Sequence, residues 1–256
     1  MVEVSLMTSM LSDHHDPQRI QLVASLRWKT LASARLLNMT KLNLTADEVL
    51  TTTRSVRKRL DFDREVSTDV IMECLEIALQ APTGSKRQGW QWMFITDESD
   101  RATLKEIYAE NFALYRQMPR PEYDADDPRA AATPRVVDSA QYLADNFEKA
   151  PVLLIPCIEG KTDADNSAAF WGSLLPAVWS FMLALRERGL GSAWTTLHMI
   201  NGGEKKAAEL LGIPFDRYSQ AGLFPIAHTI GTDFKVASRL PASEVTHWGK
   251  WGERLS

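Results

Sequence analysis

The chain is poor in the residues that most often announce a chemistry. It has two cysteines, Cys74 and Cys157, in 256 residues, and neither stands in a CxxC pair or at zinc-binding spacing from a histidine. Both fall in apolar runs that read as a helix and a strand, so they are expected to be buried thiols in a reducing compartment. Of the five histidines, His14, His15 and His247 have no partner spacing suited to a metal. No GxGxxG follows a strand-like run, which argues against a Rossmann-type nicotinamide domain. No internal repeat is apparent. The formal net charge is −4, and a mildly acidic chain lacks the broad positive surface that nucleic acid or an anionic membrane requires.

The first residues also lack a charged segment followed by an apolar one, so no secretory signal is read. Residues 17–38 carry Arg19, Arg27, Lys29 and Arg35 among apolar residues, with no acid between Asp16 and Asp47. That pattern resembles a transit peptide or a basic amphipathic helix. Residues 1–38 are read as an extension, either a helix laid on a partner subunit or a tail upstream of a start at Met39.

What is present is an ordinary globular composition, 45% hydrophobic and 24% charged, with one local exception. Thr53-Arg54-Ser55-Val56-Arg57-Lys58-Arg59 gathers four cations and two hydroxyls, and no carboxylate follows until Asp61. Forked, permanently charged guanidinium groups match a phosphate, and hydroxyls and backbone N–H groups complete such a shell. A solvated basic turn would carry the same charges.

Around this turn, capping residues and periodicity predict helices over 45–52, 67–80, 99–118, 137–147 and 204–211. Strands are expected over 90–96, 152–158 and 222–230, with a short strand or turn at 191–196. Residues 119–134, rich in proline, acids and small residues, predict a lid loop. Ala168 to Leu185 carries no charge over 18 residues. Gly172, Ser173, Pro176 and Ser180 lower its hydrophobicity, so it reads as a buried or interface helix, with Gly189 as its C-terminal stop. The order of elements suggests one α+β domain.

Four separated pieces together resemble the FMN-dependent nitroreductase family. They are Arg54-Ser55-Val56-Arg57, Ala81-Pro82-Thr83-Gly84-Ser85-Lys86-Arg87-Gln88-Gly89-Trp90, Gly189-Leu190-Gly191-Ser192-Ala193-Trp194, and Phe224-Pro225-Ile226-Ala227-His228 with the later Arg239-Leu240-Pro241. The resemblance implies a three-layer α-β-α sandwich with a mainly antiparallel central sheet and an interwoven homodimer binding FMN noncovalently between subunits. By that likeness Arg54, Ser55 and Arg57 hold the FMN phosphate and ribityl chain, with Arg239 in the same shell. Pro82, Thr83 and Gly84 border the flavin ring. Lys86 stands where the family usually has an asparagine, Gly89 replaces a proline, and Arg59 replaces an aromatic residue.

Trp194, Thr195 and Thr196 resemble the segment lying over the flavin in the branch that includes the iodotyrosine deiodinases and the flavin-destroying enzymes. There a donor to N5 favours single-electron steps, and Thr196 is the candidate donor. Two threonines in a strand need no flavin to explain them. Asn111 and Tyr115 occupy the helix that carries substrate contacts in that branch. The glutamate and lysine with which deiodinases clamp their substrate are not matched, so deiodination of iodotyrosine is not expected.

The resemblance implies a cytoplasmic enzyme that passes hydride from NADH or NADPH through FMN to a small electron-poor acceptor, a nitroaromatic or quinone, in a ping-pong cycle. A flavin-handling or reductive dehalogenation enzyme of the same fold, or a passive flavin-binding module, remains as an alternative. His198 and His228 are read as packed histidines, since solvent can supply protons.

Overall fold

Helices begin where short polar side chains can cap them. The computed structural model describes residues 41–119, 121–124, 127–162 and 167–254. It divides into two units, Met1–Thr40 and Lys41–Ser256, and the roles expected of residues 1–38 lie outside the described residues. Thr45 opens α1 (Ala46–Thr52) with a reciprocal cap: its hydroxyl accepts from the Glu48 N–H at 3.3 Å while the Glu48 carboxylate accepts from the Thr45 N–H at 2.8 Å. Ser67 caps α2 (Thr68–Ala78). Asp97 caps α3 (Glu98–Arg116), its carboxylate accepting from the N–H groups of Ser99 and Asp100; the expected start at Ser99 is therefore inside the first turn.

The largest departure from expectation is α4, Pro128–Asn146. Residues 128–134 were expected in a loop because of the prolines, acids and small residues of 119–134, yet the helix includes them and runs through Pro134. Asp127 accepts from the Arg129 N–H and Pro128 occupies the first turn, where its fixed φ and missing donor suit a helix start. The apolar run at 167–187 is broken into α5 (Ser167–Gly172) and α6 (Leu175–Glu187), with Pro176 in the first turn of the latter. By length and composition alone the combined run could cross a membrane, but α6 packs its Ala177, Val178, Phe181 and Leu185 into the core. Helix α7 spans Gly203–Leu211.

One sheet organises these helices. Its strands are β1 (Leu60–Asp61), β2 (Trp90–Ile95), β3 (Val152–Glu159), β4 (Leu190–Ser192), β5 (Tyr218–Gln220) and β6 (Phe224–Thr229), and every strand pair is antiparallel. Only β1 and β5 were not anticipated; they are too short to show a period. Strand β3 lies at the centre and is buried on both faces. Val152, Leu154 and Ile158 face α2 and α6, while Leu153, Ile155 and Cys157 face α3, α4 and α7. The alternation of a pleated strand thus feeds two apolar layers at once, and the result is the expected α-β-α sandwich. Each large side chain so buried contributes about 1.5–3 kcal/mol relative to exposure.

The sheet also positions the basic turn. Val56 N–H donates to the Ser192 carbonyl at 2.8 Å, and Ser55 bridges Ser192, so the turn lies along β4. Only glycine permits this approach at position 191: a Cβ there would sit 2.7 Å from Thr229 Cγ2 and 3.0 Å from Val56 Cβ.

Helix α2 is pinned to the end of α6 by a buried ion pair, Glu73 with Arg188, at 8% and 7% exposure. The Arg188 guanidinium also donates to the Ala184 carbonyl at 2.9 Å. Removing one partner strands the other charge away from water. Glu73→Ala is expected to lower the unfolding free energy by about 3–5 kcal/mol, read from the shift of a urea denaturation midpoint; a change within about 0.5 kcal/mol would show that the pair is solvated.

Candidate functional site

The four cations of the basic turn are sorted by their partners. Lys58 pairs with Asp138 on α4. Arg59 pairs with Asp233 at 2.6 Å, donates to the Ile230 carbonyl at 2.8 Å, and lies 4.2 Å from the Phe234 ring centroid. These two strap the turn to its surroundings. Arg54 and Arg57 have no carboxylate partner among the described residues. Arg54 is held by the backbone carbonyls of Thr53, Thr51 and Lys235 at 2.8, 2.6 and 2.5 Å, and burial together with the charge of Arg239 lowers its pKa. Arg57 is half-buried, and among the described residues its guanidinium hydrogen-bonds the Ser139 hydroxyl alone, at 3.5 Å. Burial pulls its pKa down, with Tyr108 opposing. Ser55 is exposed beside them. A partly desolvated cation without a counter-charge favours whatever anion can reach it.

A second element, residues 194–197, is fixed against the approach to β6. The Trp194 indole donates to the Ala221 carbonyl at 2.9 Å, and the Thr195 hydroxyl donates to the Leu223 carbonyl at 2.7 Å. Gly222, at φ +147°, makes this possible; a Cβ there would lie 2.7 Å from the Thr195 carbonyl oxygen and 2.8 Å from the Trp194 indole nitrogen. Thr195 is thereby spent on its own scaffold. Thr196 is exposed, and no hydrogen bond of its hydroxyl is formed among the described residues.

Both elements open on one cavity of about 1240 Å³. Arg57, Arg239 and Trp194 to Leu197 form one side; Tyr108, Phe112, Tyr115 and Arg116 of α3 form another. Helix α4 closes it with a stripe of Arg129, Ala132, Thr133, Val136, Val137 and Ala140, the 3.6-residue period of one helix face, and with Arg135 at the edge of that face. The wall expected from a lid loop is thus partly a helix.

Two sequence expectations need correction or relocation. Asn111 does not reach the cavity. It is 2% exposed, and its amide donates to the carbonyls of Ile200 at 3.0 Å and His198 at 3.4 Å; it ties α3 to the turn after Thr196, while Tyr115, half-exposed, does line the space. Pro82, Thr83, Gly84 and Lys86 form an exposed or half-exposed loop that does not line the cavity. Ser85, Lys86 and Gln88 all adopt left-handed φ between 48° and 56°, which costs non-glycine residues about 1–2 kcal/mol each. This loop leads into Trp90, paired with Ile158 on β3, whereas Ser55 lies four strand spacings away and level with Val152. Strand geometry separates the two by roughly 25–30 Å. Tyr108, Phe112 and Arg116 were missed by the sequence reading, although their spacing on one helix face, continuous with Tyr115, was available as a signal.

His198 is fully buried with its Nε2 2.9 Å from Gln220 Oε1. The Gln220 amide nitrogen already donates to the Glu204 carbonyl at 2.8 Å, so Oε1 faces the imidazole and Nε2 carries its proton, leaving Nδ1 bare. Burial lowers the His198 pKa to about 4, against the bond to Gln220. Both free thiols are buried, which raises each to about 12. Among the described residues no group of side chains could hold a metal ion.

The Nitroreductase family model matches residues 50–228, and the chain belongs to that family. A single-site variant of the FMN and NADPH-dependent nitroreductase NfnB from Sphigopyxis sp. strain HMH is 25% identical with a TM-score of 0.59, covering 80% of this chain and 99% of that one. NfnB from Mycobacterium smegmatis in complex with NADPH is 18% identical, TM-score 0.59, covering 80% and 98%. A BluB-like flavoprotein from Clostridium difficile 630 is 17% identical, TM-score 0.59, covering 81% and 100%. The last two likenesses concern the fold alone. No curated protein matches in sequence.

A buried neutral histidine has a stability signature. Its folded pKa of about 4 lies below the ordinary value of 6.5, so its contribution is complete above pH 6.5 and is lost as the unfolded chain alone takes up the proton on the way down to about pH 4. The stability gap between wild type and His198→Gln is expected to narrow steadily across that window. Denaturation series at pH 7, 6, 5 and 4 (pH values chosen at about one-unit steps) measure it, and a constant gap would mean that His198 titrates normally.

Proposed function

We propose that the chain is an FMN-dependent oxidoreductase that moves reducing equivalents from NADH or NADPH to a small electron-poor acceptor of the nitroaromatic or quinone type. The observation that carries this reading is Arg57, half-buried at the cavity wall without a carboxylate partner, with Arg54 and Arg239 close enough to influence one another. A phosphate dianion supplies the missing counter-charge. Arg54, Ser55, Arg57 and Arg239 would hold the FMN phosphate, and the donors fit it by charge and type. Bound FMN supplies the hydride and electron transfer itself.

The remaining roles fall to this chain's own side chains. Trp194 and Thr195, locked onto the β6 approach, give a rigid floor, and Thr196 presents an unspent hydroxyl to the cavity for the flavin N5 position. Tyr115 and the α3 aromatics receive the acceptor. Helix α4 narrows access of water. His198 takes no part in proton transfer, because its Nε2 proton is committed to Gln220.

The loop of Pro82, Thr83, Gly84 and Lys86 lies too far from Arg57 to touch the same flavin within one chain. In the proposed reading it serves the flavin of a second copy, so that a homodimer holds two sites, each built from the basic turn of one chain and the loop of the other. A cytoplasmic location accords with the reduced, inert thiols.

Arg54→Ala combined with Arg57→Ala removes two charge-assisted contacts of about 1.5–3 kcal/mol each and is expected to weaken FMN binding by roughly two to four orders of magnitude, measured by equilibrium dialysis. A double variant that purifies fully yellow would refute the phosphate site. Rapid bleaching of bound FMN by NAD(P)H in stopped flow is expected; its absence would leave only a passive flavin-binding role. Coexpressing the arginine double variant with Thr83→Arg should restore flavin to about half the sites of mixed dimers, because one site of each such dimer is then intact. No recovery beyond the two separate variants would place both elements at the same flavin within one chain.

A further inference from the structure

The cavity excludes acidic side chains. Among the described residues neither Asp nor Glu lines it, while Arg57, Arg116, Arg129, Arg135 and Arg239 all do, in a chain whose formal net charge is −4. The excess is larger than one phosphate needs. In the proposed arrangement the FMN phosphate accounts for Arg57 and Arg239. Arg129 is neutralised by Asp127 at 2.5 Å, with Glu244 also acting on it.

Arg116 and Arg135 are left over. The Arg116 guanidinium donates to Gln141 Oε1 at 2.6 Å, an uncharged partner. Arg135 is exposed at the cavity wall, and it has no hydrogen bond or ion pair among the described residues. Phe112 and Tyr115 share α3 with Arg116, so an aromatic surface adjoins the unbalanced charge. A guanidinium beside an aromatic wall suits a flat ring that bears a carboxylate, since the fork binds the two oxygens while the ring stacks.

We propose that the acceptor is an anionic aromatic molecule, an electron-poor ring carrying a carboxylate, with Arg116 and Arg135 receiving the carboxylate and Phe112, Tyr115 and Trp194 receiving the ring. This inference rests on the flavin reading. An anion could also come from the reductant, as the 2′-phosphate of NADPH. In that molecule the phosphate adjoins the adenine and lies most of the dinucleotide away from the nicotinamide, so the two anions are told apart by the variants below.

The test uses the FMN-loaded full chain, its loading verified by visible absorbance, with 4-nitrobenzoate and nitrobenzene as matched probes. Titration calorimetry gives the affinity for each, and steady-state assays give kcat/KM. Wild type is expected to favour 4-nitrobenzoate, and Arg135→Gln or Arg116→Gln to reduce that preference about ten- to hundred-fold each. Arg135→Lys should recover part of it, and near-UV circular dichroism checks that each variant is folded. Equal affinity of the wild type for the two probes would overturn the proposal. So would variants that instead lose discrimination of NADPH over NADH, which would assign the arginines to the 2′-phosphate. A chain that takes up no FMN at all fails at the absorbance step, and that result counts against the flavin reading itself.

Discussion

Strand β3 has no solvent face, and the placement of every other part follows from that. Because Val152, Leu154 and Ile158 belong to one apolar layer and Leu153, Ile155 and Cys157 to the other, a slip of one residue would exchange the two sets. The register is therefore fixed from both sides. Through β3 the pairing then locates β6, β4 and the basic turn at one corner and β2 with its preceding loop at the far one. The separation of the two motifs proposed to face the flavin is a consequence of sheet geometry, and it is what makes a second chain part of the proposed site.

Charge is distributed on the same frame with a clear division of labour. Lys58, Arg59 and Arg188 have acidic partners and hold structure together. Arg54, Arg57 and Arg239 have none among the described residues; Arg57 and Arg239 line one cavity, and the charge of Arg239 is felt at Arg54. Lone cations brought together repel one another and lose hydration, so their persistence without carboxylates argues for a ligand that supplies the opposite sign. The hydroxyls obey a similar rule. Thr195 spends its proton on the Leu223 carbonyl, and this anchoring is what leaves Thr196 in a defined place with its donor free.

Much of the fold was legible because its signals are local. Thr45, Ser67 and the glycine at 189 act as the terminators their chemistry suggests, and the apolar run at 152–158 is the strand buried on both sides. The failures have specific causes. The prolines, acids and small residues of 119–134 suggested a loop, but the start signal at Asp127–Pro128 with the alanines behind it outweighs the one backbone donor missing at Pro134. Asn111 looked available because its helix lines the cavity; its actual direction is set by the carbonyls of His198 and Ile200, contacts about ninety residues away in sequence. Burial of that kind leaves no mark in a local pattern. Neither does the sorting of the four cations at 54–59, since the acids that claim two of them, Asp138 and Asp233, are remote.

Helix α4, which takes up residues 128–134 of the expected loop, changes what the cavity can select. A loop wall of small residues and acids would be adaptable and nearly neutral toward ligands. A helix presents side chains at fixed intervals, so the arginines at 129 and 135 and the apolar stripe through 136 and 140 keep their relative positions. With the basic turn docked on the same helix through Asp138 and Ser139, the wall that would face the acceptor and the shell that would face the flavin phosphate are coupled mechanically. Recognition of the acceptor's charge and retention of the cofactor would then depend on one rigid element, which places selectivity in α4 and leaves the redox chemistry to the flavin.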